Sequence, residues 1–206
     1  MRKLARMELL AHLSPTEPRV TVYNEALGSR VEFSALTLTN WAAKVANMLR
    51  EECDLTPGDA IALDVPHDWQ EIVIVLGALA AGVTYQAGDD TTGDEEVAFV
   101  GEGTQSDAPT VIVVGDDPLG APVADLPAGA LDFSTTVRMY ADDFPEPTAS
   151  LAAPGSPTKR IVRASASTVT QTLEQLATGG AIVIVRGAAT DERMAHIADV
   201  ERATAW

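Results

Sequence analysis

Residues 30–86, RVEFSALTLTNWAAKVANMLREECDLTPGDAIALDVPHDWQEIVIVLGALAAGVTYQ, switch repeatedly between the periods of a strand and a helix. That alternation limits the fold more than any other stretch. RVEFS (Arg30–Ser34) places polar and apolar side chains in turn, as a half-buried strand does. Thr37 is a fair N-cap for a helix carrying Leu38, Trp41, Val45, Met48 and Leu49 on one face. Pro57-Gly58-Asp59 reads as a turn, and AIALDV (Ala60–Val65) has the few polar positions of a strand buried on both sides. Asp68 followed by Glu71 has capping-box spacing for the apolar helix after it, and Gly82 is a natural C′ stop. Strands alternating with helices predict α/β layering around a largely parallel sheet with right-handed crossovers.

The flanking segments extend this pattern. Leu4, Met7, Leu10 and Ala11 recur at helical spacing, and Ser14-Pro15 ends that predicted helix. RVTVY (Arg19–Tyr23) and RVEFS flank a Gly28-Ser29 turn, which predicts a hairpin and makes the sheet mixed. Gly88–Gly103 reads as a loop with a short strand at Val97–Val100, and TVIVVG (Thr110–Gly115) as a buried strand. Residues 116–130 are rich in Pro, Gly and Asp. Thr135–Tyr140 has strand character, and Ala141–Pro157, with four prolines, is loop. Lys159–Arg163 predicts a strand, Ser167–Ala177 a helix ended by Gly179-Gly180, and AIVIV (Ala181–Val185) another buried strand. Thr190 caps a last helix bearing Met194, Ile197, Ala198 and Val200. The expectation is one α/β domain over 1–206, a subdivision near 141–157 being the alternative.

Charge narrows the function classes. Thirty acidic and fourteen basic residues give a net charge of −16, which repels nucleic acid and anionic membrane. Cys53 is the only cysteine, so an internal disulfide is excluded. Its neighbours Glu51 and Glu52 oppose thiolate formation, which favours a structural role. The run Ile72–Val83 is too short to span a bilayer, and the opening MRKLARMELLAHL lacks a signal-peptide cleavage site. A cytoplasmic location follows as the expectation.

Several segments within residues 30–86 resemble the N-terminal part of the adenylate-forming superfamily, which comprises acyl-CoA synthetases, luciferases and peptide-synthetase adenylation domains. The resemblance is carried by Leu38 with Trp41–Leu49, by Leu55-Thr56-Pro57-Gly58-Asp59, by Ala60–Pro66, and by Leu76–Val83. Leu176–Thr204, where LATGGAIVIV precedes a helix and ERAT, is similar to the family's "LlaGatvVl" strand and the helix after it. The chain also resembles a group of short actinobacterial relatives of these enzymes. This implies a layered fold like a truncated N-terminal domain of a synthetase or luciferase, and ATP, AMP or Mg²⁺ as the ligands of an active member.

The departures from that pattern are as informative. The family's phosphate loop is rich in Ser, Thr and Gly, so that backbone amides approach phosphate oxygens, and ends in a lysine. The nearest match is APGSPTK (Ala153–Lys159), with Gly155, Ser156 and Lys159 as the candidate binding residues. Two prolines there lack amide hydrogens, and a proline-rich connection into the next strand is the competing reading. Lys159 lies twenty residues before Gly179, too close for the family's intervening helices. The family's Tyr-Gly-x-Thr-Glu segment, ribose-binding Asp and C-terminal Lys have no counterpart before Trp206. Independent adenylation is therefore not expected, and no catalytic residue and no cofactor are assigned.

Other motifs are weak. GEGTQS (Gly101–Ser106) approaches a dinucleotide fingerprint but leads into Asp107-Ala108-Pro109 and a strand instead of a helix. The acid run Asp89, Asp90, Asp94, Glu95 and Glu96 lacks EF-hand spacing and reads as a solvated loop. Of His12, His67 and His196, only His67 stands at a strand end, where open α/β sheets place ligands; a helix-entry turn is its alternative role. No metal set is expected from three histidines and one cysteine. The sequence reading is a non-catalytic relative, a pseudoenzyme, acting by binding a small ligand or a protein partner. The alternatives are a nucleotide- or acyl-binding subunit of a split AMP-forming acyl ligase, and a structural homo-oligomer.

Overall fold

The structure, a computed structural model, describes residues 7–88, 93–153, 161–164 and 169–205. The strands fall into two five-stranded sheets, each in its own compact unit. One unit gathers Asn40–Pro66 and Val73–Ala149; the other gathers Glu8–Thr39, His67–Ile72 and the chain from Ser150 onward.

In the first unit the strand order is β4-β3-β5-β6-β7, from β3 (Ala60–Asp64), β4 (Thr84–Ala87), β5 (Val97–Gly101), β6 (Thr110–Val114) and β7 (Leu131–Asp132). Every pairing in it is parallel. Ile61, Phe99 and Ile112 are fully buried on one face, but β3 is buried only at alternate positions, with Ala62 half-buried and Asp64 exposed, so it is not covered on both sides as its apolar run predicts. The helix α2 (Trp69–Ala80) leads to β4 through a Schellman turn. Val83 N donates to Ala78 O at 2.8 Å and Gly82 N to Leu79 O at 3.1 Å, with Gly82 at φ 68° as C′.

Helix α1 (Ala35–Glu51) presents Lys44, Asn47 and Arg50 one turn apart, and this row holds the segment after residue 139 by its main chain. Lys44 Nζ donates to Tyr140 O at 2.7 Å, and Asn47 Nδ2 donates to Ala141 O and Asp143 O, both at 3.0 Å. Arg50 binds Glu146 through two bonds of 3.1 and 3.0 Å, donates to Leu55 O at 2.8 Å, and also reaches Ala81 O. The Arg50 guanidinium holds the Glu146 carboxyl below the usual range.

The segment Thr135–Tyr140, expected as a strand, instead begins within the short helix α3 (Phe133–Val137) and continues as a turn. Asp132 is the reason. Its carboxylate accepts the Thr135 amide at 2.6 Å, and Phe133 and Val137, one helical turn apart, are both buried.

In the second unit the order is β10-β8-β9-β1-β2. The hairpin forms as expected, with β1 (Pro18–Asn24) antiparallel to β2 (Ser29–Ser34). The strands β8 (Ile161–Ala164), β9 (Ile182–Arg186) and β10 (Thr204–Ala205) add in parallel, so this sheet is mixed. Helix α4 (Val169–Ala177) ends on Gly179 at φ 84°, and α5 (Asp191–Val200) starts on the predicted Thr190 cap. On α5 Ile197 is buried with Met194 and Ala198 beside it, whereas Val200 is exposed. Arg19 ties this unit together, donating to Gly179 O at 2.7 Å and pairing with Glu17 at 2.6 Å.

Two local expectations change. Ser34, rather than Thr37, receives an amide at the start of α1, accepting from Thr37 N at 3.2 Å. Residues 8–13 form turns closed by Ala11 N to Glu8 O (3.1 Å) and Leu13 N to Leu10 O (3.0 Å), where the pattern predicted a helix. Leu9, Leu10 and Leu13 are buried, and apolar burial without a continuing helix reproduces the same periodicity over so short a stretch.

The contact between α1 and α2 depends on Gly77. A Cβ there would collide with the Val45 side chain and lie 2.9 Å from Ala42 O. Alanine would gain about 1 kcal/mol of helix propensity, but the obstructing atoms include a Cβ and a carbonyl that cannot swing away. We expect Gly77→Ala to destabilise the protein by roughly 1–3 kcal/mol. Urea unfolding measures this; an unchanged midpoint would contradict the packing described.

Candidate functional site

The carboxyl end of the mixed sheet holds the polar constellation that sequence reasoning approached through His67. There β9 ends in Arg186 and β1 in Asn24, and open α/β sheets place ligands outside such strand ends. Gly187, at φ 85°, turns the chain away from β9, with Ala26 N and Glu25 Cβ 3.5 and 3.7 Å from where its own Cβ would be. A side chain at that position would meet both strain and the β1–β2 turn.

Arg186 Nη1 donates to Asp68 Oδ2 at 2.5 Å, and both side chains are largely buried. Asp68 also accepts the Trp69 amide through Oδ1 at 2.5 Å, so its carboxylate serves the head of α2 and the end of β9 together. Trp69 is buried and stacks on Phe33 at 4.9 Å between ring centroids, which fixes the helix entry.

His67 lies one residue before Asp68, and its side chain is 9% exposed. Its Nδ1 meets Glu71 Oε2 one turn along. Glu71 thus serves His67, which corrects the capping-box expectation of a return bond to the Asp68 amide. An ionised carboxylate only accepts, so Nδ1 carries the hydrogen in this pair and Nε2 is the ring's remaining polar atom. That Nε2 is buried and has no partner in the structure. His12 is committed elsewhere, its Nε2 lying 2.8 Å from Leu176 O, and His196 is exposed on α5.

The same end of the sheet holds two further charge pairs. Glu25 takes Arg193 through bonds of 2.9 and 3.0 Å, which lowers the Glu25 carboxyl pKa. The buried Glu201 carboxylate accepts Tyr23 OH at 2.7 Å and Arg30 Nε at 2.8 Å. Burial, then the bond to Glu201, raises the Tyr23 phenol. Asn24 Oδ1 accepts the Ala26 and Leu27 amides at 3.1 and 3.2 Å, closing the turn. Arg186, Arg193 and Arg30 are therefore each matched by a carboxylate. An approaching phosphate would have to displace an ion pair in order to gain one.

The candidates Gly155, Ser156 and Lys159 lie outside the described residues, as do Asp89 and Asp90. Of the remaining acid run, Asp94 and Glu96 are exposed as expected, but Glu95 is buried and accepts the Gly93 amide at 3.0 Å. Among the described residues, no group of three or more His, Cys, Asp or Glu side chains is placed to hold a metal ion. The Cys53 thiol is pushed up to about 12 by burial and by Glu52 and Asp54, so it stays protonated near neutrality. Among the described residues, no helix is long and apolar enough to cross a membrane. Sequence reasoning missed Arg186 and Glu71 as partners, since their pairings join β9 to Asp68 and α2 to His67. The His67-x-x-x-Glu71 spacing was the available signal for the second of these.

Removing one member of the Arg186–Asp68 pair leaves a buried charge. Arg186→Met should cost about 3–5 kcal/mol, and Arg186→Met with Asp68→Asn less than the two single costs combined. Chemical denaturation of the four proteins checks this; strict additivity would show that the pair is not coupled.

The comparisons with known proteins agree with this architecture. The model of the family described as AMP-binding enzyme matches residues 15–172. The TIGR03089 family protein of Mycobacterium tuberculosis is 33% identical over 148 residues, covering 68% of this chain and 60% of its own length. An acyl-CoA synthetase of Brucella canis superposes with a TM-score of 0.76 at 15% identity, over 95% of this chain and 45% of that one. An acetoacetyl-CoA synthetase from Streptomyces lividans gives 0.65 at 18% identity, over 88% and 38%. The chain thus spans 60% of the curated relative and less than half of these synthetases. With the family model matching most of its length, the chain belongs to the AMP-binding enzyme family.

Proposed function

We propose that this chain is a non-catalytic member of the family, acting by binding a small ligand or a protein partner without forming an adenylate. The observation that carries this reading is the pairing of Arg186, Arg193 and Arg30 with Asp68, Glu25 and Glu201 around the carboxyl end of the mixed sheet. Adenylation chemistry needs cationic or metal groups free to offset phosphate charge as it develops. In a chain of net charge −16, committing these guanidiniums to carboxylates removes that capacity where a ligand would approach. His67 is likewise committed, its Nδ1 facing the Glu71 carboxylate.

Thermal unfolding with increasing ATP–Mg²⁺ tests the reading. A ligand at one hundred times its Kd adds about 2.7 kcal/mol, a shift of several degrees for a protein of this size. We expect no saturable shift up to millimolar nucleotide. A saturable shift that Lys159→Ala abolishes would overturn the proposal and favour a nucleotide-binding subunit of a split ligase.

A further inference from the structure

The first unit contains a cavity of about 290 Å³ against its parallel sheet, and its origin lies in the β5–β6 connection. Parallel strands are normally joined by a crossover of a dozen or more residues, usually helical, which covers the sheet face. Here residues 102–109 make the crossover with neither helix nor strand. Thr104 N closes on Gly101 O at 3.1 Å, and Ser106 Oγ accepts the Ala108 amide at 3.2 Å. This is the GEGTQSDAP stretch whose glycines approached a nucleotide fingerprint; in the folded chain it walls the cavity with Gln105, Ser106 and Asp107.

The floor is apolar and built from small side chains. Ala98 and Val100 are buried on β5, with Ala62 and Ala108 packed beside them. Alanine where the neighbouring strand carries valine leaves the space unfilled. The rim is polar and anionic, with Asp64 at the end of β3, Asp107 on the crossover and the buried Glu95. Asp64 and Asp107 are exposed and have no cationic partner among the described residues, unlike the matched carboxylates of the other unit. The three carboxylates do not gather into a metal-holding group, so the charge is spread around an apolar floor. Such a lining, a few polar groups converging over apolar surface, is that of a small-molecule site.

We propose that this cavity binds a small organic cation, a primary ammonium carried on a short aliphatic body. Methyl groups on the floor take the aliphatic part, and Asp64 and Asp107 with the Gln105 side chain receive the ammonium hydrogens. The volume is that of about ten water molecules, which leaves room for the short carbon chain of a diamine of four or five carbons. The inference rests on the ligand-binding reading only in giving that ligand a chemical class. Amine and nucleotide titrations succeed or fail separately.

Isothermal titration of the full chain with putrescine at physiological ionic strength tests the inference. We expect saturable 1:1 binding, at least tenfold weaker in Asp64→Asn, lost in Ala98→Leu, and unchanged in Asp142→Asn, an exposed acid outside the cavity. 1,4-Butanediol should neither bind nor compete, and calcium chloride at equal concentration should not displace the amine. Absence of saturable binding, equal weakening by Asp142→Asn, displacement by calcium, or unaltered binding in folded Ala98→Leu would each overturn it. Should Ala98→Leu fail to fold, Asp64→Asn on an exposed side chain still decides the outcome.

Discussion

In a chain with thirty carboxylates and fourteen basic side chains, each buried guanidinium decides where acid-rich segments can come together. Arg50 is the fullest case: it gathers the Leu55 and Ala81 carbonyls and the Glu146 carboxylate, joining the end of α1, the end of α2 and the loop after Tyr140. Arg19 does the equivalent just past the end of α4, where it takes the Gly179 and Gly180 carbonyls of the turn into β9. Arg186 joins β9 to the head of α2, and Arg30 joins the hairpin to the buried Glu201. A buried ion pair gives little net stability against an apolar replacement, but losing one partner is expensive. These arginines therefore specify the arrangement more than they strengthen it.

The same pairing shapes the functional reading. Family membership and fold follow from the match over residues 15–172 and from the superposed synthetases. Fold alone does not carry activity. At the carboxyl end of the mixed sheet Arg186, Arg193 and Arg30 each face a carboxylate. The parallel sheet of the other unit has the opposite character, with Asp64 and Asp107 exposed beside a floor that includes Ala62 and Ala98. The two sheets thus offer different electrostatic surfaces, one balanced and one anionic.

Much of the secondary structure was legible because periodicity and punctuation agree. The hairpin around Gly28, the Pro57-Gly58-Asp59 turn, the Gly82 and Gly179 stops and the Thr190 cap all stand where local chemistry puts them. The misreadings have local causes. Asp132 starts a helix where Thr135–Tyr140 looked extended, because a cap one residue before a buried phenylalanine outweighs β-propensity. Residues 8–13 bury leucines from turns, which a periodicity count cannot distinguish from one helical turn. The division of the strands between two sheets was not legible, since alternation fixes the order of elements but leaves their partners open. The site was half legible. His67 stood out by position, but Glu71 was read as a cap and Arg186 fell just past the predicted Ala181–Val185 strand, because the contacts that define them form only in the folded chain.

The chain has the architecture of its family, and the proposal is that it lacks the family's adenylation chemistry. ATP–pyrophosphate exchange in the presence of short-, medium- and long-chain carboxylic acids measures that chemistry directly. The account predicts exchange no faster than in protein-free controls for every acid. Acid-dependent exchange that disappears in Lys159→Ala would contradict it.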